Sequence, residues 1–271
     1  MSDAPQWLRP QWDAPAGVRS AFTLRGGGVS AGAYASLNLG AHVGDDPAAV
    51  AANRARVRGA LALPSEPVWL DQTHGVRVAD LDREPRPEPA DAAVTREPGR
   101  VCAILVADCL PVLFATRRGD AVAAAHAGWR GLAAGVLEAT IAALGVPGPE
   151  LVAWLGPAIG PDRFEVGAEV RQAFLQADAG CGAAFRPNTR GRWLCGLAAL
   201  ARRRLAAAGV TAIADGTACT YSDATRFFSH RRQQPTGRMA ALLWLAPAAA
   251  GAGGMLESAP PSRMRARGLK A

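Results

Sequence analysis

The order of apolar segments in the 271-residue sequence predicts a mixed α/β fold in which strands outnumber helices. Three observations carry that expectation. Short, nearly continuous apolar runs recur, with 101–106 and 151–155 the clearest, and runs of that length fit strands buried on both faces. Segments of helical period separate them near 47–61, 132–144 and 193–208. Hydrophobic residues make up 49% of the chain, enough for a real core and against wholesale disorder.

Taken in order, residues 1–20 are rich in proline and tryptophan and read as a surface lead-in. A strand at 21–24 runs into Arg25-Gly26-Gly27-Gly28-Val29-Ser30. Three glycines permit close backbone approach, and Arg25 beside them suits an anion such as phosphate or carboxylate, although a plain tight loop fits the glycines too. Asp46 and Pro47 are the N-cap and first residue of a helix to about Leu61, with Arg54, Arg56 and Arg58 among its apolar positions. A strand at 67–70 ends in Asp71-Gln72-Thr73-His74-Gly75, extended structure resumes at 76–78, and 83–90 is a proline-charge linker. Asp91 to Thr95 leads back to the core.

Strands follow at 101–106, 111–115 and 121–125. Asp108 and Cys109 interrupt the first pair, and His126 closes the third. Gly128 to Gly131 opens a helix over 132–144, and such a start directs free backbone N–H groups towards His126, favouring an anionic ligand there. Next come a strand at 151–155, a rigid loop at 156–161, a helix ending near Ala177 and another over about 193–208, stopped by Gly209. Strand pieces at 210–214 and 217–220 and a last strand at 238–245 complete a body spanning 21–246. Residues 247–271 lose periodicity and are expected to form a disordered basic tail.

Charge and cysteine content exclude several classes. The excess is +7, from 30 Lys and Arg against 23 Asp and Glu. Arg263, Arg265, Arg267 and Lys270 against Glu257 put +3 of it in the tail, so the body carries only +4, a weak argument for a nucleic-acid partner. Five widely spaced cysteines are no disulfide framework and fit a reducing compartment. Neither a signal peptide nor an apolar run of membrane-spanning length is legible. The expectation is a cytoplasmic protein with neither membrane nor nucleic acid among its partners.

His74, Cys109 and His126 are the candidate chemistry. Thiolate and imidazole are natural ligands of zinc or copper, and three protein ligands leave a fourth position for water or substrate. Gaps of 35 and 17 residues are not zinc-finger spacing and fit ligands donated from the ends of separate strands. Cys109 as a packing thiol and His126 as a helix cap remain open at this level. So does a Cys–His hydrolase, with Cys109 as nucleophile and a histidine as base. Metal and free nucleophile compete for the same thiolate.

A run of motifs resembles the YfiH-like family, described variously as laccase-domain or multicopper polyphenol oxidases, purine nucleoside phosphorylases and peptidoglycan editing factors. The motifs are Arg25-Gly26-Gly27-Gly28-Val29-Ser30, Ser36-Leu37-Asn38-Leu39-Gly40, Val43-Gly44-Asp45-Asp46, Asn53-Arg54 and Gln72-Thr73-His74-Gly75. They continue as Ala107-Asp108-Cys109-Leu110-Pro111, Ala125-His126-Ala127-Gly128-Trp129-Arg130-Gly131, Gly156-Pro157-Ala158-Ile159-Gly160-Pro161, Phe164-Glu165-Val166-Gly167, Phe228-Ser229-His230-Arg231-Arg232 and Gly237-Arg238. Leu24 departs from the second threonine common before the arginine.

The resemblance implies one domain, central β-sheets flanked by helices in an αββα-type layering. It also implies a metal, usually zinc with copper as the other candidate, held by His74, Cys109 and His126. Arg25, Asn38, Gln72, Gly128, Arg130 and His230 are then the expected substrate-binding residues, although His230 fits packing beside Arg231 equally well. The implied reaction is phosphorolysis of adenosine, inosine or methylthioadenosine, with adenosine deamination as a companion, in a monomer or homodimer. Hydrolytic editing of a misloaded muramyl precursor is the alternative. Four histidines in the chain are too few for a multicopper cluster.

Overall fold

A computed structural model describes residues 4–84, 87–216 and 218–247. In chain order the strands begin with β1 (Trp7–Leu8), β2 (Val18–Thr23), β3 (Val68–Trp69), β4 (Val78–Asp80), β5 (Ala92–Thr95), β6 (Val101–Val106) and β7 (Leu110–Thr116). They continue with β8 (Val122–Ala127), β9 (Leu151–Leu155), β10 (Glu165–Val166), β11 (Phe185–Pro187), β12 (Trp193–Cys195), β13 (Ala212–Asp215) and β14 (Met239–Leu245). The α-helices are α1 (Pro47–Ala60), α2 (Trp129–Ala134), α3 (Val136–Leu144), α4 (Ala168–Ala177) and α5 (Leu197–Ala207). None is long and apolar enough to cross a membrane.

Two sheets stack. One has the order β1-β2-β14-β6-β3, the other β13-β9-β7-β8-β5-β4, and a small third sheet β10-β12-β11 lies apart from both. Strand alternation sorts each side chain to one layer or the next. Ile104 and Val106 of β6 with Ala241 and Leu243 of β14 meet Leu113, Ala124 and Trp154 of the second sheet. Leu105 and Leu242 face the other way, towards Leu39 of the preceding loop and towards Val57 of α1. From the far side of the second sheet, Val112, Phe114 and Ala125 pack on Val136, Leu137, Leu200 and Leu205 of α3 and α5. The expected αββα order is therefore present, and burial on both faces explains why 101–106 and 151–155 read as unbroken apolar runs.

Several local expectations change. The helix after Gly131 is two helices, because Gly135 takes φ 105, closes α2 by donating to Gly131 O, and starts α3. Trp193–Cys195 belongs to the small sheet, and α5 begins only at Leu197; apolar residues at 193, 194, 195 and 197 satisfy either period, and pairing with β10 and β11 decides. The strand placed at 210–214 runs Ala212–Asp215, parallel to β9. In place of a strand at 217–220 there is one isolated bridge, Cys219 to Ala158; Thr217 lies outside the described residues. The lead-in is part of the first sheet, since Trp7 pairs with Thr23 and β2 starts at Val18. Of the expected tail, all but Pro247 lies outside the described residues.

Registers bring one set of strand ends together. Leu110 pairs with Ala127 and Ala92 with Ala125, so β7 and β5 begin where β8 ends. Met239 pairs with Val106, so β14 begins where β6 ends. The short link from Val106 to Leu110 joins the two sheets at this same end.

Candidate metal centre

Cys109 sits in the link from β6 to β7, on the side of the strand that faces the other sheet, half-buried. His126, on β8 opposite Pro111, is buried. His74 arrives from the crossing between β3 and β4 and is exposed. The ligand atoms of these three residues lie within 4.8 Å of one another. His74 Nε2 is 3.8 Å from Cys109 Sγ, and the two imidazole rings stand edge to face with centroids 4.7 Å apart. A tetrahedral ion bound at the usual Zn–S and Zn–N lengths would hold sulfur and nitrogen roughly 3.5 Å apart. The donor set and its spacing fit such an ion.

Asp91, at the head of β5, organises the centre and was not singled out from the sequence. It is fully buried. Its carboxylate accepts from Thr73 N (3.0 Å), Thr73 Oγ1 (3.1 Å), His74 N (2.9 Å) and Gly75 N (2.7 Å), and from His126 Nδ1 (2.7 Å). One carboxylate thus fixes the loop that carries one imidazole and the tautomer of the other, leaving His126 Nε2 for a ligand bond. Burial pushes the Asp91 carboxyl upwards, but the His126 hydrogen bond and the Gly75 and Thr73 amides outweigh it and hold it at about 2.

Backbone strain marks the same places. His74 has φ 63 and Asp108 has φ 92, conformations a side-chain-bearing residue keeps only where surroundings impose them. Asp91 imposes the first. The second is held by the Asp108 carboxylate itself, which accepts from Thr220 Oγ1 (2.6 Å), Ser229 Oγ (3.0 Å) and Arg231 N (2.7 Å), tying the 220–231 loop beneath Cys109.

Burial would raise the Cys109 thiol, yet the positive charge of His126 and hydrogen bonds from His126 and His74 bring it down to about 6. His126 is drawn upwards by Cys109 and Asp91 against its own burial. Both shifts favour the thiolate–imidazolium form over the neutral pair. Cys102 and Cys195 are buried and pushed up to about 12 by desolvation. In metal-stripped protein at neutral pH, iodoacetamide should therefore modify Cys109 well before Cys102 and Cys195. Added zinc should protect it and leave half-buried Cys219 unaffected as an internal reference. Peptide mass spectrometry reads this, and labelling of Cys109 indifferent to zinc would contradict ligation by that thiol.

The remaining expected residues divide. Gly128, N-cap of α2, is close against the centre: a Cβ there would lie 2.8 Å from His74 Cδ2 and 3.1 Å from Cys109 Sγ. Gly128→Ala should therefore lower zinc affinity by about tenfold, on the scale of neighbouring-shell changes, in a chelator competition. Arg130 is exposed, lies over the Trp129 ring at 4.6 Å, and lines the cleft in front of Cys109 with His230, Phe164, Ile159 and Leu197.

Arg25, Asn38 and Gln72 are engaged by the fold instead. Arg25 donates to Ala35 O from Nε and Nη2 and to Ala224 O from Nη1, and stacks on Phe228. Asn38 is buried, bonded to Gly40, Asp45 and Arg238 N. Gln72 pairs both ends of its amide with the Leu105 backbone, extending the β3 edge. Helix α2, at six residues, gives the centre only a short run of amides.

Residues 19–246 match the family model described as multi-copper polyphenol oxidoreductase laccase. A protein of Pseudomonas aeruginosa named purine nucleoside phosphorylase is 57% identical over 240 residues, which is 88% of this chain and 98% of that protein. The Escherichia coli protein named purine nucleoside phosphorylase YfiH is 53% identical over 237 residues, 87% of this chain and 97% of its own. A crystal structure of a Neisseria meningitidis protein superposes with a TM-score of 0.85 at 49% identity, covering 89% of this chain and 99% of that one.

Proposed function

Because the chain belongs to the family of that laccase-domain model and of the YfiH proteins, we propose that it is a purine nucleoside phosphorylase using one zinc ion. Its substrates are adenosine, inosine or methylthioadenosine, and it also deaminates adenosine. The observation that carries this reading is the His74, Cys109, His126 set, of which His74 and Cys109 line an apolar cleft.

Phosphorolysis makes a bond from a phosphate oxygen to C1′ of the ribose and breaks the bond from C1′ to purine N9. The electron pair leaves with the base, which takes up a proton. Deamination adds water at purine C6 and releases ammonia. Both need a flat base held against apolar walls, and Trp129, Phe164, Ile159 and Leu197 supply them. His74, Cys109 and His126 would hold the ion, which as a Lewis acid polarises a substrate group or activates water. Asp91 keeps the His126 ring in one tautomer and orientation. His230 lines the same cleft, and partial burial and Arg238 shift its imidazole downwards, towards an uncharged hydrogen-bond partner for substrate.

A multicopper laccase needs further copper ligands. Among the described residues, His74, Cys109 and His126 are the one such group found, and the other two histidines, His42 and His230, lie apart from any second set. Product analysis with inosine and phosphate tests the proposal. Zinc-dependent release of hypoxanthine with ribose 1-phosphate supports it. Serine release from a muramyl peptide by metal-free protein would replace it with the Cys–His hydrolase.

A further inference from the structure

Resting on the phosphorolytic reading, we propose that Arg238 forms the subsite that binds the attacking phosphate. The sequence points to Arg25 for this work, but Arg25 directs Nε, Nη1 and Nη2 to backbone carbonyls. Arg130 is exposed and stacked on Trp129. Arg238 differs from both.

Its position follows from register. Met239 pairs with Val106, so one step further Arg238 stands opposite Ala107, two residues before Cys109, at the open end of the sheets. Its backbone is clamped there: Arg238 N donates to Asn38 Oδ1 at 2.8 Å, and Leu39 N donates to Arg238 O at 3.1 Å. The stem runs over Gly40, where a Cβ would come within 2.7 Å of Arg238 Cγ. Buried Asn38 and side-chain-free Gly40 therefore serve to place this one arginine.

Its donors are incompletely used. Nη1 donates to Thr236 O and Gly237 O at 3.0 and 3.2 Å. Among the described residues no carboxylate pairs with the guanidinium, in contrast to the half-buried Arg77, Arg100, Arg202 and Arg204, each of which has one. A half-buried guanidinium with spare N–H groups suits a tetrahedral oxyanion, which offers several acceptors at once.

The surrounding field agrees. Burial depresses Arg238, while the negative charges of Cys109 and Asp108 draw it back up, so it lies within electrostatic reach of the metal centre. After burial, Arg238 is the chief influence lowering both His42 and His230; Arg54 and His126 add to it at His42, and Arg231 and His74 at His230. Asp71 opposes it at His42 and Asp108 at His230. Asp108 is already satisfied by Thr220, Ser229 and Arg231. A bound dianion would relieve this crowding of positive groups.

Calorimetric titration of the zinc-loaded full chain with inorganic phosphate alone tests the proposal apart from turnover. Arg238→Met should weaken phosphate binding by about tenfold or more, as expected for loss of charge-assisted bonds, with Arg238→Lys in between and zinc content unchanged. Gly40→Ala, which pushes on the stem, should weaken it too and serves if Arg238→Met does not fold. Arg118→Met, on an exposed turn, is the control. In phosphorolysis the same variants should raise KM for phosphate and leave KM for inosine near wild type. Wild-type protein that binds no phosphate, or folded Arg238→Met binding it as wild type does, overturns the assignment. Phosphate bound through Arg238 without release of hypoxanthine would uphold the subsite and refute phosphorolysis.

Discussion

Cys109→Ala is expected to yield folded protein that carries no stoichiometric zinc and has lost phosphorolysis and deamination together. The thiol is half-buried in a strand link, and its removal leaves the apolar layers around Ile104, Leu113 and Phe114 intact. What it removes is the one anionic ligand, leaving two imidazoles with little hold on the ion. Changes to groups that only support metal ligands already cost about 10–100-fold in affinity or activity. Loss of the thiolate should therefore exceed about a hundredfold in turnover. Elemental analysis and product chromatography on the same sample check both halves. Wild-type turnover in metal-depleted Cys109→Ala would sink the reading.

Asp91→Ala is expected to be the most destabilising single change near the centre. It strands the N–H groups of Thr73, His74 and Gly75 and Nδ1 of His126 in a buried place. Each orphaned donor costs about 1–3 kcal/mol, part of it recovered by relaxation or water, so a loss of about 3–5 kcal/mol in urea unfolding is expected. Asp91→Asn keeps the shape and should fold better, yet lose about 10–100-fold in zinc affinity because His126 loses its carboxylate partner. The sign with pH follows from the depressed carboxyl. Its stabilising contribution is whole above about pH 4, the ordinary carboxylate range, and disappears as pH falls through about 2. The stability gap between metal-free wild type and Asp91→Asn should therefore narrow in acid. A gap that widens would contradict a charged Asp91.

The layered fold and two of the three candidate ligands were legible because apolar runs at 101–106 and 121–125 end in residues of metal-binding type. His74 was weaker, a histidine beside a glycine, and became specific only in company with the other two. Asp91 was not legible. A lone aspartate before a strand carries no periodic signal, and its five hydrogen bonds come from segments up to 35 residues away. The bonds of Arg25 were equally hidden: a guanidinium beside three glycines looks free until the carbonyls of Ala35 and Ala224 are in place. Asn38 and Gln72 belong to motifs, but their amides turn out to hold Arg238 and β6, so they act on the site through other residues. The misread helix starts at Gly135 and Leu197 are cases where a glycine and a small sheet override helical periodicity.

Zinc-edge X-ray absorption on the purified wild-type protein tests the central claim most directly, because it counts ligand types at the ion. The expected spectrum has one sulfur at about 2.3 Å and two imidazole nitrogens at about 2.0–2.1 Å, with one further light ligand. A shell without sulfur, or with two or more sulfurs, would contradict a single open site built from His74, Cys109 and His126.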